Sequence, residues 1–88
     1  MSDLFNKHLI KSLADLAIFL EFTNEDLLDA DIAVGAMEQL AKELQCMSEE
    51  DQRILARRLR DLRTEYPDEK KAQFVENLPE SLGLAPTS

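Results

Sequence analysis

Cysteine, glycine, proline and tryptophan are scarce or missing: the 88 residues include one cysteine, two glycines, three prolines and no tryptophan. With Cys46 alone there is no internal disulfide framework, and the single His8 cannot complete a thiolate zinc site. Few glycines and prolines leave long stretches in which nothing interrupts a helix. Basic residues are scarce too, ten lysines and arginines against eighteen aspartates and glutamates, for a net charge of −8. A surface of that sign repels phosphate, which argues against nucleic acid as a partner. Long apolar runs are also absent. The longest, Leu16-Ala17-Ile18-Phe19-Leu20, falls far short of the ~20 residues that cross a bilayer. Met1 to Lys7 lack the basic start and apolar core of a signal peptide. The pattern predicts a cytoplasmic protein with no membrane partner.

What is present suffices for one small domain. Hydrophobic residues make up 44% of the chain and charged ones 32%. A chain this long buries about 60–65% of its unfolded surface, a modest core. We expect one helical domain over residues 1–84 and a frayed tail over 85–88.

No segment alternates with period two, so the fold class is all-α, a bundle of three long helices, a shorter fourth and a C-terminal turn. The first helix is predicted from about Leu4 to Phe22, capped by Ser2 or Asp3, with Phe5, Leu9, Leu13, Leu16 and Leu20 as its buried face. Thr23-Asn24-Glu25-Asp26 reads as a new cap, and Leu27-Leu28 as a short helical turn. The second helix is predicted over Ile32 to Cys46, capped by Asp29 or Asp31, with Ala33, Met37, Leu40, Leu44 and Met47 along its seam. Gly35 within it suggests the close approach of a neighbouring helix. Ser48-Glu49-Glu50-Asp51 is the clearest helix start in the chain. It opens a third helix, which buries Leu55, Leu59, Leu62 and Tyr66 and stops before Pro67. A short fourth helix follows with Phe74, Val75 and Leu78, then a last turn from Pro79 closed by Gly83.

Catalytic chemistry has little to work with. There is no glycine-rich phosphate loop, no HExxH pair and no Gly-x-Ser-x-Gly elbow. His8 reads as a solvated side chain, and Cys46 as a small core residue beside Leu44 and Met47 rather than a nucleophile. The expectation is a protein that is not an enzyme and carries no cofactor. Calcium favours clustered oxygens, and Glu21, Glu25, Asp26, Asp29 and Asp31 crowd together. Yet Asp29 and Asp31 match only the first two ligand positions of an EF-hand. No glycine stands at the sixth position, and Leu40 occupies the twelfth. Helix capping is the better account of Asp26, Asp29 and Asp31, and no metal is expected.

Two surfaces could recognise another protein. Residues 1–47 hold three bases and nine acids, a balance of −6, against seven and nine, a balance of −2, in residues 48–88. The unpaired acids of Glu21 through Asp31 would speed encounter with a basic partner. Beside them, Ile18, Phe19 and Phe22 point to the polar side of the first helix. They need cover, either from Phe74, Val75, Leu78, Leu82 and Leu84 or from a partner or second copy. The expected partner-binding residues are therefore Ile18, Phe19, Phe22, Glu25, Asp26, Asp29 and Asp31. Arg53, Arg57 and Arg60 share a face of the third helix with Thr64, and the tight Cys46-Met47-Ser48 junction permits a helix-turn-helix. Acids at helical spacing, such as Glu49 with Arg53, neutralise that face.

The run Asp29-Ala30-Asp31-Ile32-Ala33-Val34 is followed by Met37-Glu38-Gln39-Leu40-Ala41, Leu44-Gln45 and Ser48-Glu49-Glu50-Asp51. Together with Leu78-Pro79-Glu80-Ser81-Leu82-Gly83-Leu84, these stretches resemble a group of small acidic, all-helical bacterial proteins of unassigned function. In size, charge and helicity the chain is also similar to immunity proteins of bacterial toxin systems. No motif of the colicin-type nuclease immunity family is present, so no binding residues carry over. The expected function is a protein-interaction module, an immunity or inhibitor protein for a basic partner. The alternatives are a small helix-turn-helix regulator and a structural homodimer.

Overall fold

A computed structural model describes residues 6–24 and 26–85. Among them every regular element is helical: α1 (Lys7–Phe22), α2 (Ala30–Leu44), α3 (Glu49–Asp61), a 3-10 turn (Leu62–Glu65) and α4 (Glu69–Ser81). The all-α bundle is the class that the absence of period-two alternation predicts. The fourth helix is not the short one, since α3 and α4 both have 13 residues. No helix among the described residues is long and apolar enough to cross a membrane.

Each α-helix starts at a side-chain oxygen that accepts from otherwise orphaned backbone N–H groups. Ser48 Oγ accepts from Asp51 N at 3.1 Å, as the sequence predicts. Asp29 Oδ1 accepts from Asp31 N at 2.7 Å and Ile32 N at 3.4 Å, which starts α2 at Ala30 rather than Ile32. Asp68 Oδ1 accepts from Lys70 N at 2.9 Å. The first cap is Asn6, whose Oδ1 accepts from His8 N at 2.7 Å. Ser2 and Asp3, the expected caps, lie outside the described residues. Apolar Leu4 and Phe5 prolong the helical pattern past the true start, which is why the sequence places it too early. Leu27 and Leu28 form a turn rather than a helical piece, with both N–H groups donating to Asn24 O.

The last turn needs a correction as well. Pro79 does not open a separate element; α4 runs through it to Ser81. Gly83 N donates to Glu80 O and Leu84 N to Pro79 O, the paired bonds of a Schellman stop, and Gly83 takes φ +68° to make them. Leu84 is thereby folded back into the core.

That core belongs to α1, α3, the 3-10 turn and α4. Leu55, Leu59, Leu62, Val75, Leu78 and Leu82 are buried against Ile10, Ala14, Ala17 and Ile18. The buried face of α1 is thus not the predicted leucine stripe. Leu9 and Leu16 are 59% and 51% exposed, whereas Ala14 and Ala17 are fully buried, and Phe5 lies outside the described residues. Both stripes have spacings of three and four, and they lie roughly a quarter turn apart on the helix. The alanines win because their small side chains let α1 approach α3 and α4 closely. Of the leucines, Leu9, Leu13 and Leu20 border hollows shared with α2 residues.

α2 is an outer layer. It has no fully buried residue. Met37, Leu40, Ala41 and Leu44 are partly covered where they pack on the core. Gly35 lies on its free side, and a Cβ built there meets nothing within 4 Å. The expected close helix approach is absent. Gly35→Ala should therefore stabilise the domain by about 0.5–1 kcal/mol, through helix propensity alone. A rise in the urea midpoint at unchanged slope would show it, and a fall would mean that a neighbour had been missed.

Two glutamines tie the far end of α2 to the core. Gln45 Nε2 donates to Leu82 O at 2.8 Å. Gln52, 8% exposed, donates from Nε2 to Gln45 O and Met47 O and accepts at Oε1 from Ala85 N. Ala85, which the sequence assigns to the tail, is thereby held. Cys46 is exposed rather than part of the core, because α2 ends at Leu44 and the thiol falls in the following turn. Its Sγ donates to Lys42 O at 3.4 Å.

Candidate interaction surface

The corner where α1 ends and α2 begins gathers most of the predicted partner-binding residues, and the structure divides them. Ile18 is 9% exposed and belongs to the core, because its position on α1 adjoins Ala14 and Ala17 rather than solvent. It leaves the candidate set. Phe22 is half-exposed and meets Phe74 edge-on, with ring centroids 5.6 Å apart and planes at 82°. Its cover is in part the internal one that Phe74 was expected to supply. Val75, Leu78, Leu82 and Leu84 are buried in the core beside Ile18. Phe19 is 54% exposed. At 3.6 residues per turn it falls among His8, Ser12 and Asp15, the true polar face of α1. His8 is exposed there, as expected.

The acids have separate employments. Asp29 is committed to the α2 cap through Oδ1. Asp31 stands in the first turn of α2, where a negative charge meets the positive end of the helix dipole. Asn24, not Thr23, shapes the connection, because Asn24 Oδ1 accepts from Asp26 N at 2.9 Å. Thr23 Oγ1 instead donates back to Phe19 O. Glu25 lies outside the described residues. Glu21, Asp26, Asp31 and Glu38 are exposed and make no ion pair with a lysine or arginine among the described residues. The described residues contain no group of three or more His, Cys, Asp or Glu side chains placed to hold a metal ion.

Beside Glu21 and Glu38 the surface opens into a hollow of about 380 Å³. Leu20, Leu28, Ala33, Val34, Met37 and Ala41 line it, and Glu21, Glu38, Thr23 and Ser81 stand around it. The sequence reading missed this groove. Its signal was available in Leu20 of the leucine stripe of α1 and in Val34, which, like Ile32, is a large apolar residue of α2 outside the seam. Val34 and Ile32 are both more than half exposed. A second hollow, lined by Leu9, Ile10, Leu13, Leu44, Met47 and Leu55, lies at the opposite end of the same helix pair, with Asp51 as its only acid.

Elsewhere several charges are paired within the domain. Lys7 pairs with Glu65 at 3.2 Å, which ties α1 to the 3-10 turn. Next to it Tyr66 Oη donates to Asp15 Oδ1 at 2.6 Å, and Lys11 Nζ lies 3.2 Å from Asp15 Oδ2 and 5.0 Å from the Tyr66 ring centre. The phenol hydrogen bond, aided by the ammonium, holds the Asp15 carboxyl below the usual carboxylate range. Burial, reinforced by the Asp15 carboxylate, pushes the Tyr66 phenol well above its ordinary value. On the arginine face of α3, Arg53 pairs with Glu49 at the predicted spacing, at 3.2 Å. Arg63 is held by Glu76 and Glu69 of α4 at 2.7 and 3.4 Å. The α1–α2 corner differs in sign: its described charged side chains are all carboxylates, and no lysine or arginine occurs between Ser12 and Ala41. Comparisons of the chain with protein-family models, curated proteins and solved structures returned no match, so the function has to be argued from this geometry.

Proposed function

We propose that the domain is a protein-interaction module that captures a basic partner at the α1–α2 corner, in the manner of an immunity or inhibitor protein covering a cationic site. One observation carries this reading: two exposed carboxylates without cationic partners among the described residues, Glu21 and Glu38, border a largely apolar hollow. In such an arrangement the charges set the encounter rate and the apolar floor supplies most of the affinity. The resemblance in size, charge and helicity to immunity proteins agrees with it.

The direct test neutralises the corner without touching the helix cap. A variant combining Glu21→Gln, Asp26→Asn, Asp31→Asn and Glu38→Gln removes four charges and leaves Asp29 in place. Immobilised wild-type protein should retain a basic protein from native lysate at low salt and lose it as salt rises, while the variant retains none. Equal capture by both proteins, or capture indifferent to salt, would overturn the proposal.

A further inference from the structure

α2 has no buried residue, so the α1–α2 pair is an incomplete packing layer, open at its acidic end. We infer that this opening seats a single amphipathic helix of the partner, cationic along its flanks and with a large apolar anchor in the hollow. The inference rests on the interaction reading above and adds the form of the occupant.

The shape of the hollow favours a helix. Leu20 of α1 and Leu28 of the connection line it together with Val34 and Met37 of α2, and the lining residues Ala33 and Ala41 are small. Two neighbouring helices with small residues between their ridges present the groove into which a third helix packs. No strand exists among the described residues, so there is no sheet edge for an extended peptide to join, and helix-in-groove docking is the mode left to this surface.

Charge decides which helix. From Ser12 to Ala41 the chain has no lysine, arginine or histidine. Glu21 and Glu38 stand at the hollow itself, with Asp26 and Asp31 nearby in the chain. A second copy of a chain carrying a net charge of −8 would bring the same carboxylates face to face. A helix with lysines or arginines beside its apolar stripe would meet them as counter-charges.

Two methionines give the test its readout, because Met37 lines this hollow and Met47 the other one. The probe is a synthetic leucine–lysine helix of about 18 residues, long enough to span the groove. Its control is the leucine–glutamate peptide of identical pattern. With methionine methyls labelled for NMR, the leucine–lysine peptide should shift the Met37 signal and saturate at one equivalent, leaving Met47 unmoved. The leucine–glutamate peptide should shift neither. Val34→Lys, at an exposed position that leaves the core intact, should weaken binding by about tenfold. Equal movement of both signals, or an unaffected affinity in Val34→Lys, would overturn the inference. So would binding that leaves Met37 still. That last result, combined with loss of binding in the four-charge variant, would remove the helix seat and leave the acidic-surface reading standing.

Discussion

Leu59→Ala is expected to cost about 3–5 kcal/mol, among the largest losses of any single truncation in the domain. Leu59 has no exposed surface and sits where α3 is packed between α1 and α4. Cutting its isobutyl group back to a methyl forfeits the transfer energy of the three lost carbons and leaves a cavity that the surrounding helices can only partly close. A domain of this length has about 4–13 kcal/mol of stability in total, so the change takes a large share of it. Urea titration followed by far-UV circular dichroism should show the midpoint falling steeply while the slope holds. A loss under about 1 kcal/mol would mean that α3 is not the centre of the core.

Gln52→Met is the second large effect, expected at about 2–3 kcal/mol although the side chain keeps nearly its volume. Gln52 is the only buried polar residue among those described, and its amide makes three bonds, to Gln45 O at 3.1 Å, to Met47 O at 2.9 Å and from Ala85 N at 2.9 Å. A neutral hydrogen bond contributes about 1 kcal/mol net, and more is lost when the abandoned backbone groups stay away from water. Methionine fills the space and satisfies none of them. Amide exchange should quicken at Ala85 as well as along the α2–α3 turn, since one side chain holds both. If the exchange change were confined to the turn, the link to Ala85 would be wrong.

The fold class was legible because its signals are local. Ser48 with three following acids, Pro67 before Asp68, and Gly83 beyond Leu82 are caps and stops that act within a few residues. The starts at Ser48 and Asp68 and the stop at Gly83 fall where the chain places them. α3, however, ends at Asp61, and the stretch expected to carry it on to Tyr66 is a 3-10 turn to Glu65. The orientation of α1 was not legible in the same way. Leu9-Leu13-Leu16-Leu20 and Ile10-Ala14-Ala17-Ile18 satisfy the same periodicity, and choosing between them requires knowing how closely α3 and α4 approach. That is a property of three helices together. The same ambiguity placed Ile18 on the candidate surface. Gly35 and Cys46 were misjudged for a related reason. Small residues in an apolar neighbourhood look buried until the free side of the helix is known. The acidic corner, by contrast, was visible in the chain because adjacent residues carry it. What the sequence could not supply was the apolar hollow beside its charges, which two separate helices build.

The attachment of α2 is uneven along its length. Gln45 and Gln52 bolt its C-terminal end to α4 and the chain's last turn, while its N-terminal end rests on side-chain packing and the Asn24 turn. Displacing the free end of such a helix about Gln45 breaks fewer buried contacts than displacing α1, α3 or α4. Small swings would widen or narrow the gap beside Leu20 without disturbing any contact among α1, α3 and α4. The domain can thus adapt the width of its acidic opening at little energetic expense, because the moving part contributes least to what keeps the rest folded.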